Sequence, residues 1–161
     1  MSETTQNEES SIDLTTKALT LIKETKLLQI NKSANMLVDL FSKDEQFTRI
    51  KPKRIGQQIE MRFPALNGSL TFTLVSNRDE FSCIEGKPKN PIAIITFNVK
   101  ENHVLKEISS IIAMKDSIFS LVKVLPKLIL RKLKIKGSLF AAIVLFRCLT
   151  IGKHEVYKGQ L

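Results

Sequence analysis

Between Lys132 and Leu149 the chain changes hydrophobic period at a single glycine. "KLKIKG" alternates Leu133 and Ile135 with Lys132, Lys134 and Lys136, the pattern of a strand with an apolar inner face and a basic outer one. "SLFAAIVLFRCL" then puts Leu139, Ala142, Ile143 and Phe146 on one helical face and Phe140, Ala141, Val144, Leu145 and Cys148 on the other. A strand wet on one side needs a sheet, and a helix with no wide polar stripe needs cover on both sides. Gly137 gives the backbone the freedom to turn between them, and Ser138 can cap the helix.

The rest of the chain supplies the sheet and the cover. Leu14, Ala18, Leu21, Ile22 and Leu28 share one face of a first amphipathic helix over residues 12–30. A second opens near Ser33 and carries Met36, Leu37, Leu40, Phe41 and Phe47. Pro52 ends the helical pattern in "RIKPKR". "IEMRF" and "SLTFTLV", joined by "ALNG", read as a hairpin, "FSCIEG" as a third strand, and "IAIITFNV" as a central strand apolar on both faces. Four strands in succession predict an antiparallel meander. Val104, Leu105, Ile108, Ile111 and Ile112 then return to helical spacing, and "SIFSLVKVL" forms a short helix ended by Pro126. The class is α+β: a five-stranded, mainly antiparallel sheet with helices on one face. Residues 1–10 lack apolar anchors and are expected to be disordered, 11–31 form an N-terminal helical extension, and 32–161 one domain, as suits 161 residues with a single core.

Charge narrows the partners. Of the formal net charge of +9, most lies after Ala113, where ten Lys and Arg face only Asp116 and Glu155. Such a patch can meet nucleic acid, an anionic membrane or an acidic ligand group, or simply be a solvated face. No nucleic acid is expected, because Phe63, Phe72, Phe81 and Phe97 fall at inward positions and there is no Trp to stack bases. Cys83, Cys148, His103 and His154 share no metal-like spacing, no glycine-rich phosphate loop occurs, and neither histidine belongs to an evident Ser, Cys or carboxylate constellation. The chain is expected to be no enzyme and to need no metal or cofactor. The cysteines read as buried free thiols of a reducing compartment, a disulfide being the alternative. "MSETTQNEES" is acidic where a secretory signal is basic and then apolar, and no apolar run approaches a membrane span, so a cytoplasmic protein is expected.

The stretch "KLKIKGSLFAAIVLF", preceded by "LIL", resembles the sterol carrier protein (sterol-transfer, non-specific lipid-transfer) family, whose final strand F-F-x-G-K-L-K-I-x-G leads into an apolar, small-residue helix. The order of elements matches over residues 33–151. Arg131 stands at the family's strand-leading glycine, Ile129 and Leu130 replace its aromatic pair, and Phe72 in "LTFTL" lies near its strand aromatic. The resemblance implies an apolar tunnel for fatty acyl chains, acyl-CoA or sterols. Its candidate walls are Phe72, Ile108, Ile111, Ile112, Phe119, Leu125, Leu128, Leu139, Ala142, Ile143 and Phe146, all of which ordinary core packing would explain equally well. Lys123, Lys127, Arg131, Lys132 and Lys136 are candidates for contact with an anionic head group or membrane, or for protection of a sheet edge. Non-enzymatic lipid binding and transfer is the expected function. The alternative is an accessory protein that presents lipid intermediates to enzymes of isoprenoid or quinone biosynthesis. A partner protein or a homodimer through the apolar helices also fits.

Overall fold

The computed structural model describes residues 3–43, 56–74, 81–112 and 131–158, the side chains of 3–13 and 154–158 excepted. A helix α1 (Glu3–Lys43) leads into strands β1 (Gln57–Phe63), β2 (Gly68–Leu74), β3 (Ser82–Glu85) and β4 (Ala93–Phe97). Helix α2 (Val104–Ile112), strand β5 (Leu133–Gly137) and helix α3 (Leu139–Lys158) follow. The short helix expected over "SIFSLVKVL" lies outside the described residues.

One face of every strand is apolar, and the register brings these faces together. Ile59 pairs with Phe72, Met61 with Leu70, Phe72 with Cys83, Met61 with Ile95 and Phe97 with Leu133, and all but Cys83 and Met61 are at most 2% exposed. Phe63 and Phe97 stack on this face with ring centroids 5.2 Å apart. Helix α1 covers the β2–β3 side and α3 the β4–β5 side, and the two helices pack on each other. Burial of this aliphatic and aromatic surface, worth roughly 25 cal/mol per Å², supplies the main stabilisation. Cys83 belongs to this core, and burial pushes its thiol from 9.0 up to about 12. Cys83 and Cys148 are both buried thiols outside any disulfide, as expected.

Two expectations are corrected. The strand order is β3-β2-β1-β4-β5, and β1 pairs parallel with β4, so the first four strands are not a meander. Strands β3 and β4 therefore run in the same direction with β2 and β1 between them, and residues 86–92, "GKPKNPI", must cross one face of the sheet. That is the outer face. Thr71 there donates to the Gly86 carbonyl at 2.8 Å. Glu60 on the same face is 2% exposed and accepts two hydrogen bonds from Arg62, at 3.0 and 2.8 Å. The two N-terminal helices are likewise one. Helix α1 runs 41 residues without a break at Asn31 to Ser33, and its backbone is helical from Glu3, within the stretch expected to be disordered. Leu27 and Ile30 from the expected extension sit in the same core as Ala34, Leu37, Val38 and Phe41.

At the junction where the hydrophobic period changes, Gly137 has φ +89°, and a Cβ there would run into the Ile92 carbonyl. Ser138 N–H donates to that same carbonyl at 2.8 Å. Ser138 Oγ accepts from Ala141 N–H at 3.2 Å, which caps α3.

Candidate ligand-binding cavity

Helix α1 buries Ile30, Ala34 and Leu37 at the spacing of one helical stripe, and α2 sets Leu105, Ile108, Ser109 and Ile112 along its own face. Between these helices the sheet offers Met61, Leu70 and Phe72 as a floor, and Leu149 and Lys153 of α3 complete the lining. The space enclosed is about 280 Å³, near the lower edge of the roughly 300–1,000 Å³ usual for small-molecule sites.

Floor and rim differ in exposure. Met61, Leu70 and Phe72 are buried, whereas Ser33, Met36, Leu105 and Ser109 are exposed, so the cavity opens between α1 and α2. Polar groups are few: two serine hydroxyls at the rim, and Lys153, which carries the only charge among the described lining residues. A site of this kind offers hydrocarbon contact along its depth and one cation in its lining. A polar molecule entering it would lose its water without replacement hydrogen bonds, at a cost of several kcal/mol.

Of the residues singled out from sequence, Phe72, Ile108 and Ile112 line the cavity. Ile111 points into the core at 2% exposure, and Ala142 and Phe146 are buried in it as well. Ile143 is half-buried and Leu139 is 51% exposed, and neither lines the cavity. Phe119, Leu125, Leu128, Lys123 and Lys127 lie outside the described residues. Arg131, Lys132 and Lys136 are exposed beside or on strand β5 and do not line the cavity; Lys132 lies 3.7 Å from Glu107 of α2. The sequence reading missed the contribution of α1, namely Ile30, Ala34, Met36 and Leu37. Their period was visible, but an apolar helical stripe looks the same whether it faces core or cavity. Lys153 carries no signal of its own in the sequence, where it is one basic residue among several after the apolar run of α3.

Among the described residues no three of His, Cys, Asp and Glu come together where they could hold a metal ion. None of the described helices is long and apolar enough to cross a membrane.

Neither the family models nor the curated proteins contain a match to the sequence. Among solved structures, the chain is similar to UbiJ-SCP2, a ubiquinone synthesis protein, with a TM-score of 0.55 over 78% of this chain and 93% of that one. The two share 7% sequence identity. Five mixed strands with helices on one face thus define a sterol-carrier-like α+β fold, the fold implied by the resemblance of "KLKIKGSLFAAIVLF". The likeness to UbiJ-SCP2 is one of fold.

Proposed function

We propose that the chain binds a hydrophobic molecule, a fatty acyl chain, acyl-CoA, sterol or isoprenoid lipid, in the cavity between α1, α2 and the sheet, and transfers it within the cytoplasm without catalysis. The observation that carries this reading is a cavity over the buried apolar floor of Met61, Leu70 and Phe72, with an exposed rim of Ser33, Met36, Leu105 and Ser109 on two helices. An acyl chain would lie along that floor, and an anionic head group would be held at Lys153. Native mass spectrometry of the purified protein, followed by organic extraction, identifies any molecule that co-purifies. Uptake of a fluorescent fatty acid by the emptied protein measures binding directly. Ile108→Trp, at a half-buried position on the cavity wall, is expected to weaken uptake at least about tenfold while the melting transition stays cooperative. Unchanged uptake by this variant, or an empty protein that takes up no fatty acid, would overturn the reading.

The similarity to a ubiquinone synthesis protein favours a second reading, in which the cavity presents a lipid intermediate to enzymes of quinone or isoprenoid biosynthesis. Identification of a polyprenylated ring compound in the extract, in place of a fatty acid, would select it.

A further inference from the structure

Helix α1 has two apolar stripes, and the described residues cover one. Leu27, Ile30, Ala34, Val38 and Phe41 form the buried side. Leu14, Leu21 and Leu28 recur every seven residues with Ala18 and Thr25 between them, and at 3.6 residues per turn this set lies on the opposite side of the helix. The three leucines are 67, 65 and 47% exposed, and Ala18 and Thr25 are exposed too. The stripe ends at Lys32, an exposed residue at the next position of the same register. Leucine at heptad spacing, alternating with a second core position, is the pattern of a helix that packs lengthwise against another helix.

We infer that this stripe pairs antiparallel with the same stripe of a second copy of the chain. Side-chain size and charge choose both occupant and direction. A parallel pair in register would stack leucine on leucine in one layer and Ala18 on Ala18 or Thr25 on Thr25 in the next, leaving every second layer of the seam underfilled. It would also set Lys32 against Lys32 of the second copy. The antiparallel pair places Leu14 against Thr25 and Ala18 against Leu21 of the second copy, and the reverse, so each layer joins a large residue to a small one. In this register Lys32 meets position 7 of the second copy, so no lysine faces a lysine. Lys17 and Glu24, which flank the seam on one side, come to the side of the other chain's Glu24 and Lys17, so the nearest charges across the seam are opposite in sign. Each sheet domain lies on the outer side of its own helix, and the two sit toward opposite ends of the pair, so the contact closes as a two-fold dimer.

Sedimentation equilibrium of the full chain over a concentration series tests the assembly, with a dimer of twice the 18.2 kDa chain mass expected. Leu21→Asp is expected to weaken dimerisation at least about tenfold, and because Leu21 is exposed its melting curve should be that of the parent monomer. Leu14→Asp repeats the test should Leu21→Asp not fold. Under mild oxidation, Leu14→Cys mixed with Thr25→Cys should give a disulfide-linked dimer that neither gives alone. A chain that stays monomeric at every concentration would overturn the inference and leave the stripe to another part of this chain or to a different protein. Cross-linking of Leu14→Cys with itself would overturn the antiparallel arrangement. Neither outcome depends on whether the cavity binds lipid.

Discussion

Gly137 joins the edge of the sheet to the helix layer, and two independent constraints keep a side chain out of it. The positive φ strains any residue with a Cβ, and that atom would also meet the Ile92 carbonyl, which the Ser138 N–H already occupies as an acceptor. Gly137→Ala should therefore destabilise by roughly 2–4 kcal/mol, seen as a lower urea midpoint at unchanged slope. Ser138→Ala removes only the cap on α3 and should lose about 1 kcal/mol, while Ser138→Asp retains most of it. Cys83 makes a prediction in pH. Its folded-state value of about 12 lies above the ordinary 9.0, so the unfolded chain ionises first. The associated stability is fully present below pH 9 and is lost as pH rises from 9 towards 12. The melting temperature should fall across that window, and Cys83→Ala should flatten the fall. A thiol reagent used below pH 9 should reach Cys83 only on unfolding.

At the scale of elements, the crossing of α1 and α3 sets one wall of the cavity. A Cβ at Gly152 would meet the backbone carbonyl of Leu37, so the two helices approach backbone to backbone at that point. Gly152→Val should push them apart, lose about 3 kcal/mol or more in urea unfolding, and displace Leu37, Leu149 and Lys153 from the cavity wall, with weaker fatty acid uptake as the readout. The unbroken course of α1 also shows where local pattern misleads. Asn31 and Ser33 are residues that favour helix starts, yet α1 runs through both, and Asn31 uses its side-chain oxygen to accept from Asn35 at 2.9 Å and from the Cys83 thiol at 3.7 Å. Docking of Leu27, Ile30 and Ala34 on one core outweighs the few tenths of a kcal/mol that separate such residues in helix propensity. Helix α1 is 41 residues or about 60 Å long, and along it Leu14 to Ile22 are all exposed.

For the molecule as a whole, the strands, their inward faces and the turn at Gly137 were legible because alternation and glycine act locally. The β1–β4 pairing was not, since a strand apolar on both faces, such as "IAIITF", fits either neighbour and says nothing of direction. The cavity was legible only in part. Phe72, Ile108 and Ile112 lie at inward positions that any packed core would also use, and on α2 a one-residue rotation is all that separates Ile112 at the cavity from Ile111 in the core. The crossing segment 86–92 has a consequence for how the chain comes to be folded. Strands β1 and β2 are hairpin neighbours and can pair as soon as both exist, but Ile59 meets Ala93 only after the chain has passed over the sheet it is joining. Long-range parallel pairing of this kind closes loops at an entropic cost that local contacts do not carry. Pulse-labelled hydrogen exchange during refolding should show protection in Ile59 to Phe72 before Ile94 and Ile95, and simultaneous protection would show instead that the sheet forms in one step. A chain interrupted before residue 92 would present the bare flank of β1 as an open edge, ready to pair with whatever strand it meets first.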